Sequence, residues 1–220
     1  MSSDMIFLVV SDLPVAVAAV AAAALYRKAD TALRIFCGFV LFSAAIQALA
    51  MIMALRHHNN MVLLHIYTPV GFVLLVAFYR ALLGGAVTKG VFSGLALLFT
   101  FFSIINTLFF QNIHTFNSYA LTVESILIII ITLFTFFVSL SKSRVSLVTK
   151  SNLNAVGWIN SGLLVYYTST LLIFYLSNYM LKFYSLKFNM HAWMMHSISS
   201  MVMYSCFIVG LWKQLSSRFP

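Results

Sequence analysis

The residues able to do chemistry in this 220-residue chain are few: four acidic side chains, six histidines and two cysteines. Asp12 and Glu124 stand inside long apolar runs, and His65 and His196 stand inside two others. Ionisable groups in such surroundings are costly, so each is a functional candidate by default. A carboxylate beside histidine can act as a general base or complete a zinc site. The spacing gives that chemistry little backing. His191 and His196 lie five residues apart, about 140° round a helix, which suits no single tetrahedral site. The sequence has no HExxH, HxxxH or CxxC. No metal is therefore expected, and His65, Glu124 and His196 form only a weak alternative set. Haem between His65 and His196 is not expected either, because paired-haem proteins carry more internal histidines. Retinal is excluded, since its Schiff base needs a lysine mid-helix and the last apolar run has none before Lys213. No Ser/His/Asp order or phosphate loop is readable.

What must position these residues is a membrane bundle. The chain is 62% hydrophobic and 8% charged, with a mean hydropathy of +1.00. A soluble domain carries roughly 25% charged residues to wet its surface. The composition excludes a soluble enzyme, a disordered tail and a disulfide-stapled secreted module. Continuous apolar runs occupy 5–26, 32–55, 61–83, 90–110, 118–140, 155–181 and 190–212. Each is about the 20 residues that a spanning helix needs. None shows the alternation of barrel strands. The expected fold is all-α, a single domain over 1–220 made of seven transmembrane helices. The first run is read as a retained span and not as a signal peptide, because its flank carries Asp4 and no basic residue. Of the thirteen Lys and Arg, ten fall on one side of the expected membrane, leaving Arg56, Lys182 and Lys187 on the other. This bias places the N-terminus outside and the C-terminus in the cytoplasm, in a cell inner (cytoplasmic) membrane crossed several times. The net charge of +9 then reports topology and some attraction to anionic headgroups, not nucleic acid.

With that orientation, the polar residues gather towards the outer leaflet. Asp12, Gln47, His65, Tyr67, Asn106, Glu124, Tyr175, Asn178 and His196 form the candidate pocket. Glu124 is the pivotal member, since a short carboxylate at its depth does not reach the headgroups. It is expected to face inward, protonated or hydrogen-bonded. Plainer roles compete for the rest. Asp12 in Ser11-Asp12-Leu13-Pro14 has the form of a helix cap, and His65, Asn178 and His191 suit snorkelling or capping. The stripes Ser161/Thr168/Tyr175/Asn178 and His196/Ser199/Ser200/Met203 read as helix–helix contacts. Trp158, Trp193 and Trp212 read as belt aromatics. Cys37 and Cys206 read as small packing residues.

Five segments carry a resemblance: His65-Ile66-Tyr67-Thr68, Phe116-Asn117-Ser118-Tyr119 with Glu124-Ser125, Trp158-Ile159-Asn160-Ser161-Gly162 with Tyr166, Leu176-Ser177-Asn178-Tyr179, and Gly210-Leu211-Trp212-Lys213. Together they resemble an uncharacterised family of small seven-helix membrane proteins common in Bacteroidetes-type bacteria. The resemblance covers the third helix onwards well and the first two loosely. It implies the architecture, names no activity, and marks Tyr67, Glu124, Asn160 and Asn178 as matching positions. Members often carry a glutamate after the Ile-Tyr-Thr segment. Gly71 stands there in this chain, which tells against a mechanism using two intramembrane carboxylates. The expected function is receptor-like or sensory, with an outward polar pocket, surrounding lipid and a separate cytoplasmic signalling partner. A metal-dependent lipid hydrolase, a small transporter and a structural scaffold are the alternatives.

Overall fold

The computed structural model describes residue 7 and residues 10–84, 87–140 and 150–216. They form seven helices: α1 (Leu13–Tyr26), α2 (Thr31–Leu55), α3 (Met61–Leu83), α4 (Lys89–Ile105), α5 (Ser118–Leu140), α6 (Lys150–Phe183) and α7 (Leu186–Ser216). A π-helical turn, Asn106–Phe110, continues α4. Six of the helices, all but α1, are long and apolar enough to cross a membrane. α1 has 14 residues, about 21 Å against a hydrocarbon core of roughly 30 Å. Residues 5, 6, 8 and 9 of the first expected run lie outside the described residues. So does most of the expected 141–154 connection, and α6 begins at Lys150, five residues earlier than the apolar pattern suggested.

The chain ends of the helices explain their order. Asp30 caps α2 by accepting from the Leu33 amide at 2.9 Å, which satisfies one of the donors that every helix start leaves open. α2 closes with His57 at φ 56°. There the His58 amide reaches the Met53 carbonyl and the His57 amide reaches the Ala54 carbonyl, a Schellman closure on a residue other than glycine. Pro69 sits inside α3, where it has no N–H to return to the His65 carbonyl.

Sequential helices are neighbours, and α1 also packs on α7, so the helices close into a ring. α3 contacts α2, α4 and α5, while α6 lies between α5 and α7. The α6–α7 contact is the most extensive. It depends on two glycines. A Cβ at Gly162 would stand 2.8 Å from Cys206 Cβ, and one at Gly210 would stand 2.8 Å from the Ala155 carbonyl. Close approach of small residues is how helices associate where lipid removes the hydrophobic drive. The outside of the ring is apolar, with Leu97, Phe109, Phe137 and Leu140 between 73% and 82% exposed. Such a surface is suited to lipid and not to water.

The interior divides along the bundle axis. We call the end where α3, α5 and α7 begin the N-terminal end. The far half is filled by rings: Phe36 against Phe78 at 5.3 Å and Phe207 at 4.9 Å, and Phe72 against Phe99 at 4.1 Å. The polar groups collect mainly in the N-terminal half.

Candidate functional site

Two polar layers lie in that half. The first closes the end of the bundle. The π turn presents Asn106, whose amide donates to Gln111 Oε1 and to Asn117 Oδ1, both at 2.9 Å. Gln111 Nε2 donates to Ser118 Oγ at 2.7 Å, and Asn178 donates to the same hydroxyl and to the Phe116 carbonyl. His65 bonds Thr107 Oγ1 at 2.8 Å through one ring nitrogen and the Thr115 carbonyl at 3.1 Å through the other. These contacts bring the 111–117 connection down over the bundle and tie it to α3, α5 and α6. Three expected pocket residues (His65, Asn106 and Asn178) are thus loop anchors.

The second layer lies deeper. Glu124 is 1% exposed and accepts a hydrogen bond from the Tyr167 hydroxyl at 3.1 Å. The Tyr166 hydroxyl meets His196 Nε2 at 3.0 Å. Ser43 meets the Tyr67 hydroxyl at 3.2 Å and lies near Tyr204. Electrostatic interactions join Glu124 to Tyr67, Tyr166 and Tyr167, and Tyr204 to Tyr67 and Tyr166. Asp12, which interacts with Tyr204, accepts from Gln47 Nε2 at 2.6 Å. Asp12 stands at the cap position of α1 but its side chain makes no cap bond there, and the carboxylate serves α2 instead. Residues on or capping six helices therefore meet in one layer: Asp12–Gln47, Ser43–Tyr67, Glu124–Tyr167, Tyr166–His196 and Tyr204. Tyr67, Tyr166 and His196 are each half-buried.

Between the two layers sits an aromatic group. His196 lies 5.5 Å from Trp193 and 5.6 Å from Phe174, centroid to centroid, and Phe116 packs on Trp193 at 5.1 Å. Trp193 is half-buried and packs within this group. Above it, an open depression of about 600 Å³ is lined by Met61, Phe116, Tyr119, Asn178 and Lys182, among others. Phe116 and Met61 belong both to the depression and to the aromatic group.

Tyr175 does not join the site. It is 58% exposed on a face of α6 that also exposes Thr168, so these two members of the Ser161/Thr168/Tyr175/Asn178 stripe face outward, while Asn178 contacts Phe116 and Ser118. Gly162, one residue from Ser161, stands at the α6–α7 contact. The residues that composition and spacing overlooked are Ser43, Tyr166, Tyr167 and Tyr204, all in the deeper layer. One signal marks the tyrosines. They stand inside spans, where tyrosine is displaced from its usual interfacial belt.

A third polar unit lies in the far half, which also buries Thr135 and Gln214. Tyr79 donates to Asn160 Oδ1 at 2.8 Å, and Asn160 Nδ2 donates to the Thr132 carbonyl at 3.0 Å. It pins α3, α6 and α5 together. The positions that carried the resemblance thus separate: Tyr67 and Glu124 to the deeper layer, Asn178 to the end cap, Asn160 to this pin.

Among the described residues, no three His, Cys, Asp or Glu side chains group as a metal-ligand set. His65 and His196 of the weak alternative set are in different layers, the first with both ring nitrogens engaged. Both cysteines are free.

Fold and surface define a multi-pass helical membrane protein with a polar interior at one end. No family model matches the chain, and no curated protein or solved structure is similar to it.

Proposed function

We propose that the protein is a receptor-like, seven-span protein of a bacterial inner membrane. It binds a small ligand through the N-terminal end of the bundle and passes helix displacement to a separate cytoplasmic partner. The observation that carries this reading is the polar cluster of half-buried Tyr67, Tyr166 and His196 around the buried Glu124, beneath the open depression at the bundle end. Burying so many polar groups in a span is costly unless they are used or fully satisfied. A concave site with few convergent polar groups and aromatic walls is the usual form of a ligand pocket. The charge bias supports an outside N-terminus, so the depression opens away from the cytoplasm. The segment resemblance supports the same architecture.

The test is thermal unfolding of the purified protein in detergent against a panel of amines, carboxylic acids, sugars and short-chain phospholipids. At least one class is expected to raise the midpoint by several degrees, as ligand linkage requires. The shift is expected to disappear in Tyr166→Ala. A panel without effect removes the reading. For topology, a fluorescent-protein fusion at the C-terminus is expected to report a cytoplasmic location, and a periplasmic one reverses the assignment.

A further inference from the structure

The chemistry of the deeper layer selects among ligand classes, and this step rests on the ligand-binding reading above. We propose that the site takes a small organic cation, an ammonium group carried on an apolar body, with Glu124 as its counter-charge. Three observations carry it.

The first is the balance of charge. Glu124 is a buried carboxyl whose hydrogen-bond partner among the described residues is a neutral phenol, Tyr167. Among the described residues, no lysine or arginine takes part in the layer's interactions named above. An ionised carboxylate in a span is stable only with a partner of opposite sign, and the described part of the layer does not supply one. The second is the balance of hydrogen bonds. A carboxylate only accepts, and the Tyr166 and Tyr167 hydroxyls are engaged with His196 and Glu124. Lone pairs outnumber free donors, so a donor-rich or cationic guest complements the site.

The third is the wall. Tyr166 and Tyr167 stand 5.1 Å apart edge to face, and Phe174 and Trp193 flank His196. Grouped aromatic rings beside a carboxylate are the chemistry that holds ammonium ions, through the negative ring face. The rings also give an apolar body somewhere to lie. Phe116 lines the open depression and packs on Trp193, so aromatic surface extends from the bundle end to the ring that adjoins His196. At the rim, Lys182 sits with its ammonium 5.3 Å over the Phe183 ring, drawn onto the chain's own aromatic surface.

The experiment uses the full chain in detergent and two matched pairs of probes. Choline is compared with its uncharged isostere 3,3-dimethylbutan-1-ol, and 2-phenylethylamine with 2-phenylethanol. Binding is read by thermal unfolding and by tryptophan fluorescence, since Trp193 adjoins the site. At least one cation is expected to raise the unfolding midpoint while its isostere at the same concentration does not. Glu124→Gln is expected to weaken that binding about tenfold or more, the loss of one charge-assisted contact. Tyr167→Phe is expected to weaken it less. Isosteres as effective as the cations overturn the proposal, as does full affinity in Glu124→Gln. The wild-type comparison of charged and uncharged probes stands even if that variant fails to fold. If both cations are inert while another class in the wider panel stabilises the protein, the cation assignment falls and ligand binding stands. If no class acts, both fall.

Discussion

Tyr79, Asn160 and the Thr132 carbonyl are joined in series across three helices. Interhelical hydrogen bonds within a membrane contribute about 0.6 kcal/mol on average and up to about 1.7. Tyr79→Phe is therefore expected to lower stability by about 1 kcal/mol. Asn160→Ala is expected to cost about 2 kcal/mol, because it leaves the buried Tyr79 hydroxyl without an acceptor. The double variant is expected to cost less than the two added, since both remove the same contact. Thermal or denaturant unfolding in detergent measures all three, and strict additivity would break the link between them. The same scale shows what single residues disclosed beforehand. That Glu124 faces inward followed from its depth and its short side chain. That Asp12 reaches Gln47 did not, because the partners are 35 residues apart and nothing local distinguishes a cap from an interhelical acceptor.

At the scale of elements, the rotation of each helix about its own axis was the hidden variable. A soluble amphipathic helix shows its buried face by the period of its apolar residues. Here both faces are apolar, one against lipid and one against other helices, so the period is weak. α6 illustrates the consequence. Tyr166 and Tyr175 are nine residues apart, about 180° round a helix. One of them must face inward if the other faces outward. Choosing Tyr175 inverted the face, while the span itself needed only length and hydropathy. Glycines give a sharper test of rotation. Gly162→Ala drives a Cβ to 2.8 Å from Cys206 Cβ and 3.0 Å from the Met203 carbonyl, and overpacking of this kind costs about 1–3 kcal/mol. Gly71→Ala meets the Tyr67 ring at an ordinary 3.6 Å and is expected to be tolerated. Similar unfolding midpoints for the two variants would contradict the α6–α7 packing. The end cap offers another element-scale prediction. Asn106→Ala removes the amide that joins Gln111 to Asn117. Hydrogen exchange of residues 111–117 is expected to quicken about tenfold while exchange in α2 stays unchanged. Unaltered exchange in the connection would show that Asn106 does not hold it.

For the whole molecule, the ring closure through α1 and α7 sets the relation between chain order and assembly. The α6–α7 hairpin meets the rest most extensively on α5 and on α1, and also through Asn160 on Tyr79 and Phe207 on Phe36. Residues 1–145 and 146–220 expressed as separate chains are expected to co-purify from the membrane, held by these contacts. Recovery of either piece alone would count against a closed ring. Fold class and six of the seven expected spans were legible from apolar length, since lipid imposes that requirement on every crossing helix. The closure was not, because no local pattern records which helices meet across a ring. It bears on synthesis as well as on the finished fold. Tyr166, Tyr167, His196 and Tyr204 all belong to the hairpin, whereas Asp12, Tyr67 and Glu124 precede it. A nascent chain that has inserted its first five helices is an open arc, with Glu124 in the bilayer and its phenol donor not yet made. Entry of the last two helices is then the step that takes the carboxyl out of contact with lipid, and quality control of this protein has its natural checkpoint there.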